Sequence, residues 1–453
     1  MAQTIESYVG EALDTAKISP LHTRIVALIA AGYFFDVIDF TIFGSLVPYI
    51  IASKFATGPE LAAIGSATIF GMFIGTAGQG QFSDRFGRRF IYQFNLLVFG
   101  VFTILGALVP SVTLLIVCRF IAGLGIGAEQ PLAFAYAGEY APKNIRGRIL
   151  AIVHFIGGAC VWPIGTGLAL LLGTVIFAGS PEYVWRGAWL IIGAGALVVW
   201  VFRFSLPESP RYLSTHGRGQ DALDVLKRLG VPNVPALSTL TSDAASNTKS
   251  DPFGVVFNQF PKRVIAGMVC FTAFFGVAIG LGAWLPNIMN SKGFTVTKSI
   301  EYTLWMNFAV PCASIWMMYA LDKFGRKSTS IIAFIGAAIM AMVFANAQTA
   351  TQLIVAGFIM TFFVQVAGNA MQIFTSEVFP TNARASGFGW ASGVGRLATA
   401  FIMPTILWVQ AGYGLITVFV CLAILLVIAA GAVTQLGPEA KQKGLDEVAK
   451  PTA

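Results

Sequence analysis

The chain has 453 residues, 56% of them hydrophobic and 11% charged, against about 25% charged in a soluble domain. With 38 Phe, 48 Gly and a mean hydropathy of +0.75, it has too few charges to cover a water-exposed surface of this size. An ordinary soluble enzyme is excluded and lipid is the implied solvent. The net charge of +8 would suggest nucleic acid in a soluble chain, but in a polytopic membrane protein a Lys/Arg excess marks cytoplasmic loops, and nucleic acid is not an expected partner. Cys118, Cys160, Cys270, Cys312 and Cys421 all lie in apolar segments without CxxC spacing, so they read as core residues and not as disulfides or metal ligands.

Residues 1–21 are polar and lack the basic-then-apolar order of a cleavable leader, so the first apolar segment is expected to remain as a span. Segments long enough to cross about 30 Å of hydrocarbon follow near 23–50, 61–82, 91–110, 112–140, 148–178 and 187–206. After a polar stretch, six more lie near 264–290, 300–321, 328–347, 350–379, 385–411 and 412–436. The expected fold is therefore all-α: a cytoplasmic N-terminal segment (1–21), a six-helix bundle (22–206), a cytoplasmic linker (207–262), a second six-helix bundle (263–436) and a cytoplasmic tail (437–453). With both termini inside, 23 of the 29 Lys and Arg fall on the cytoplasmic side, as the positive-inside rule requires. Within the linker, Gln220–Leu229 reads as a short amphipathic helix, followed by a Ser/Thr/Asn/Pro-rich stretch from Pro232 to Pro252.

One stretch occurs twice. Gly80, Asp84, Arg85, Gly87, Arg88 and Arg89 find counterparts at Met318, Asp322, Lys323, Gly325, Arg326 and Lys327. The offset from Asp84 to Asp322 is 238 positions, and so is that from Glu139 to Glu377 and from Arg146 to Arg384. An even number of spans separates the copies, so both face the same side, as in transporters built from parallel repeats.

On these residues the chain resembles the major facilitator superfamily, whose loop motif G-x-x-x-D-R-x-G-R-R is complete from Gly80 to Arg89. The resemblance implies twelve transmembrane helices in two pseudo-symmetric bundles, with the loop motif and the Glu139/Arg146 and Glu377/Arg384 pairs as a cytoplasmic gate lock. The residues alone also allow a simpler role in fixing topology and turn geometry. Pro207, Glu208, Ser209, Pro210, Arg211, Tyr212 and Leu213 look like the PESPRYL sequence of sugar porters, and Gly437–Glu447 loosely like their PETKG tail. Span seven, from Gly280 to Pro286, lacks the glutamine-rich pattern by which those porters hold hydroxyls. Asp36 and Asp39 in span one resemble the DGxD pattern of aromatic acid:proton symporters, with Val37 in place of its glycine. Gly127–Pro131 in span four resembles nicotinate-type metabolite transporters.

Ionisable groups within spans cost at least ~2.5 kcal/mol each and are functional candidates by default. Five stand out: Asp36, Asp39, Arg119, Glu129 and Arg396. Three acids against two guanidiniums leave one negative charge, so one carboxylate is expected to carry a proton in some state. Asp36 and Asp39 share a helix face, as proton carriers or as structural partners of Arg119 and Arg396. Arg396 lies on a face lined by Gly389, Ser392, Gly393 and Ala400, where a guanidinium could grip a carboxylate through two parallel hydrogen bonds or serve as an internal charge partner. The resemblance to aromatic acid symporters implies a functional Arg at this position. Arg119 opens R-x-x-x-G-x-G-x-G, whose glycines allow close helix packing. Glu129 is turned about 80° around span four from it, so each needs a partner elsewhere.

Gln365, Asn369 and Gln372 form a polar stripe in span ten that lines a cavity or bonds between helices. His154 in span five is a proton relay or a packed side chain. Tyr33, Phe40, Phe43, Trp162, Trp284 and Trp390 are candidate stacking residues. Spans three, six, nine and twelve carry almost no polar groups apart from Asn95, Asn346 and an edge Arg203, which matches the arrangement of the superfamily that the chain resembles, in which those helices face lipid.

The reading is of a proton-coupled symporter of a small organic anion, an aromatic or related monocarboxylate, working as a monomer in the cell inner membrane without cofactor or metal. Arg396, Arg119, Gln365, Asn369, Gln372 and Glu129 are the expected substrate contacts, and Asp36, Asp39, Glu129 and His154 the expected proton-coupling groups. A transporter of a neutral or cationic metabolite, with Glu129 as cation partner, and a non-transporting sensor on the same fold are the alternatives. No metal cluster, nucleotide-binding loop or activated nucleophile suggests an enzyme.

Overall fold

The computed structural model describes residues 4–241, 255–377 and 384–436. Span one is Pro20–Ala52, and spans two to six are Gly58–Phe86, Arg88–Leu108, Val112–Tyr140, Arg146–Ile176 and Pro181–Arg203. The second half follows with span seven at Pro261–Leu281 and span eight broken at Phe308 into Val296–Asn307 and Ala309–Phe324. Spans nine to twelve are Arg326–Asn346, Ala350–Glu377, Arg384–Tyr413 and Leu415–Leu436. Among the described residues eleven helices are long and apolar enough to cross a membrane unbroken, and the split span eight makes the twelfth crossing.

The internal repeat is visible in the backbone. Gly87 and Gly325, 238 positions apart, open spans three and nine with φ of +90° and +83°. Only glycine enters this region without strain, which explains the glycine in both copies of the loop. The R-x-x-x-G-x-G-x-G run also behaves as its spacing suggests. A side chain at Gly123 or Gly127 would overlap the backbone of span two, so spans two and four touch backbone to backbone.

Two spans contain a wider, i→i+5 turn. In span five the Cys160 amide donates to the Phe155 carbonyl at 3.0 Å, and in span seven Gly282 donates to Val277 at 3.3 Å. Such turns bulge the helix and concentrate at functional sites. Both lie against the central cavity.

The N-terminal helix and the linker pack together at one end of the first half, the linker face. There the linker forms helices Pro210–Thr215 and Gly219–Arg228. The polar N-terminal segment is itself a helix, Ile5–Thr15, capped by the Thr4 hydroxyl and buried through Ile5, Val9 and Leu13 against the linker. Asp14 at its end accepts from Arg146 at 2.6 Å and from Arg211 at 2.9 Å. The 437–453 tail and residues 242–254 of the linker lie outside the described residues.

Candidate functional site

Three cavities follow one another between the halves. The one farthest from the linker face is lined by Thr41, Ser45, Trp162, Asn307 and Gln365. The middle cavity carries Tyr33, Asp36, Gln130, His154, Gln372 and Arg396. The third, of about 380 Å³, opens towards the linker face past Phe134, His154, Ser314, Asn369 and Gln372. On the far side the halves are closed. Asn307 donates to Thr166 at 2.8 Å, and a side chain at Gly44 would meet the Gly282 carbonyl at 2.6 Å.

The buried charges sort by partner. Asp39 and Arg119 form a two-bond pair, with Nη1 to Oδ1 at 2.9 Å, and the Arg119 guanidinium lies 5.1 Å from the Trp189 ring centre. Glu129 pairs in the same way with Arg203, with Nη1 to Oε2 at 3.2 Å, and the Arg203 guanidinium sits 3.8 Å from the Tyr92 ring. A Cβ at Gly32 of span one would fall on the Arg203 guanidinium, so this glycine makes room for the pair. All four side chains are buried in the first half, and none lines the middle cavity.

Arg203 is a correction to the sequence reading. It is the last residue of span six, yet it is 0% exposed and turned inward instead of sitting at a lipid-facing edge. The charge count changes with it: with Arg203 added to Arg119 and Arg396, the three acids Asp36, Asp39 and Glu129 no longer leave an excess negative charge. Glu129 loses its rationale as a partner for a cationic substrate, and neither Arg119 nor Glu129 is brought to the cavity as a substrate contact.

The third acid and the third guanidinium are arranged differently. Both carboxylate oxygens of Asp36 are buried without a hydrogen-bond partner among the described residues. Asp36 lies within electrostatic reach of Asp39, Glu129 and Arg203, but those charges are already matched to one another. Arg396, 5% exposed, gives Nη1 to the Thr76 hydroxyl at 2.7 Å and Nη2 to the Gln130 carbonyl, and its Nε has no partner. Its guanidinium also lies 5.3 Å from the Phe275 ring. Asp36 and Arg396 thus share the middle cavity, and neither forms an ion pair among the described residues.

The other expected contacts divide. Gln365 and Gln372 line the middle cavity, whereas Asn369 lines the linker-side cavity, accepts from Gln365 at 3.3 Å and donates to Ser314 at 3.4 Å. His154 lies where these two cavities meet, at the wide turn of span five. Tyr33, Phe40 and Trp162 line the middle cavity, with Phe274 and Phe275 as further aromatics that sequence reasoning did not single out. Phe43, Trp284 and Trp390 do not line any of the three cavities.

At the linker face separate sequence motifs meet. Arg88 pairs with Glu139, which also accepts from the Ser209 hydroxyl. The Glu208 carboxylate receives the Arg89 amide at 3.2 Å, capping the positive N-terminal end of span three. Tyr140 donates to the Pro207 carbonyl at 3.2 Å. The PESPRYL stretch is thus tied to the first loop motif and to span four. Gly80 and the side chains of Asp84, Arg85, Asp322, Lys323, Arg326, Glu377 and Arg384 lie outside the described residues, so of the second lock copy only Gly325 and Lys327 are described.

Comparison with known proteins agrees with this architecture. The family described as "Sugar (and other) transporter" matches residues 38–450. The niacin transporter NiaP of Acinetobacter baylyi is 30% identical over 96% of this chain and 98% of its own length. The 4-hydroxybenzoate transporter PcaK of the same organism is 26% identical over 81% of this chain and 80% of its own. Among solved structures, the xylose transporter XylE from E. coli in a partially occluded inward-open conformation superposes with a TM-score of 0.77, at 20% identity, over 94% of this chain and 100% of XylE. The chain belongs to the sugar (and other) transporter family of the major facilitator superfamily, and is a multi-pass membrane transporter and not an enzyme.

Proposed function

We propose that this transporter carries a small aromatic monocarboxylate together with a proton, by alternating access of the central cavity. The observation that carries the reading is the pairing pattern: among the described residues, Arg396 and Asp36 have no ionic partner, and both line the same aromatic-walled cavity. Arg396 holds the substrate carboxylate, since a guanidinium matches it through two parallel charge-assisted bonds. Gln365 and Gln372 supply neutral hydrogen bonds, and Tyr33, Phe40, Trp162 and Phe275 supply apolar faces for a ring. Asp36 takes the proton, because a carboxylate buried without a partner is most readily held neutral. His154, where the cavities meet, is placed to pass the proton towards the linker face.

Asp39, Arg119, Glu129 and Arg203 hold the first half together. The linker face is cytoplasmic by its basic loops, which makes this conformation inward-facing, with Arg88, Glu139 and the rest of the loop motifs as its gate. The printed names of the relatives, niacin and 4-hydroxybenzoate transporters, support the substrate class.

Uptake of labelled niacin and 4-hydroxybenzoate into proteoliposomes under an inward proton gradient tests this. Accumulation that a protonophore collapses, and that excess benzoate but not excess sugar or amine blocks, is expected. Normal transport by Arg396→Ala, or binding without flux, contradicts it.

A further inference from the structure

Of Arg119, Arg203 and Arg396, only Arg396 has described partners that are all neutral, and both of its hydrogen-bond partners lie across the gap between the halves. Thr76 belongs to span two and Gln130 to span four, while Arg396 belongs to span eleven. Neither acceptor is otherwise idle. The Thr76 hydroxyl lies 2.7 Å from the Gly127 carbonyl and 2.8 Å from that of Met72, and the Gln130 amide donates to the Tyr33 hydroxyl at 3.1 Å. Both are therefore held where the guanidinium meets them. A carboxylate on Arg396 would form stronger, charge-assisted bonds than these two dipoles do. The guanidinium has five N–H groups, but the two that face Thr76 and Gln130 cannot also face a carboxylate.

We propose that Gln130 and Thr76 are stand-in ligands for Arg396, which a substrate carboxylate must displace, untying span eleven from spans two and four as it binds. This rests on the reading that Arg396 receives a carboxylate, and adds how occupancy reaches the rocking of the halves. A second tie between spans two and eleven, from the Ser66 hydroxyl to the Ala400 carbonyl at 2.6 Å, involves no charge, and Ser66 lines none of the cavities. It stays in place when the first is released. Substrate thus changes the connection at one level only. A ligand shifts a conformational equilibrium by the difference in its interactions with the two states, and loss of this tie is such a difference.

The test is binding of niacin and of 4-hydroxybenzoate to the purified full-length protein, read by tryptophan fluorescence and calorimetry. Gln130→Ala and Thr76→Ala each remove a competitor, so each is expected to bind about three- to tenfold tighter. Gln130→Glu supplies a permanent internal carboxylate and is expected to bind at least about tenfold more weakly. Ser66→Ala is expected to bind as the parent does. A gain for alanine with a loss for glutamate is a pattern that mere structural damage does not produce, and Thr76→Ala carries the test if Gln130→Ala does not fold. Parental or weaker binding by both alanine variants, while Arg396→Gln abolishes binding, overturns the stand-in role and leaves the anion site intact. Unchanged binding by Arg396→Gln, or no binding of either probe to the parent, removes the anion site itself and the inference with it.

Discussion

Among the described residues of the first six spans, every buried carboxylate and guanidinium but one meets its opposite: Asp39 meets Arg119 and Glu129 meets Arg203, each through two bonds. In the cavity between the halves, Asp36 and Arg396 stand close to a common space, and neither touches an opposite charge. The chemistry of the side chains is the same in both regions, and only the partnering differs. A closed pair is electrically satisfied and has little left to offer a ligand, whereas a buried charge without an opposite charge keeps part of its desolvation cost until something enters to offset it. The difference separates scaffold from working site more sharply than residue type does.

The comparison breaks first if the closed pairs prove dispensable. Arg203→Met strands Glu129 in the interior and is expected to cost about 3–5 kcal/mol, read as a large drop in thermal unfolding temperature. Replacing Glu129 with Met in the same chain removes the stranded charge and is expected to recover most of that loss. If the single and double variants unfold alike, the pair is not the scaffold it is taken to be. At the working site the expected effect is on binding and not on folding: Arg396→Gln unfolds like the parent but binds niacin about 100-fold more weakly by calorimetry.

Gly32→Ala places a methyl group on the Arg203 guanidinium and is expected to cost about 1–3 kcal/mol, again by thermal unfolding, without altering the residual affinity. The smallest effect is at the surface. Asp14→Asn weakens two half-exposed pairs that fasten the N-terminal helix, so stability should fall by no more than about 1 kcal/mol. The helix should then become easier for a protease to clip.

How far these features can be read from sequence follows from the physics of each. Spans, repeat and family were legible because lipid permits few alternatives to a long apolar helix and because Gly87 and Gly325 must be glycine at their positive φ. Asp36 and Arg396 were legible as charges in apolar runs. Arg203 was not, because helical spacing tells which residues share a face but not which face meets which helix. Its signal was Glu129, an acid in mid-span that demanded a cation no neighbour on its own helix supplied. The helix Ile5–Thr15 was missed for a related reason. Ile5, Val9 and Leu13 recur every four residues, but their buried face exists only once the linker folds against it. Phe274 and Phe275 were two among 38 phenylalanines until the cavity singled them out.

The claim that Asp36 and Arg396 divide proton and anion between them is tested most directly by Asp36→Asn in proteoliposomes. The expected result is that exchange of labelled niacin between equal pools on the two sides continues, while accumulation driven by an imposed proton gradient is lost. Accumulation at the parental level by Asp36→Asn would show that the proton travels elsewhere, and would contradict the division of labour read from the cavity.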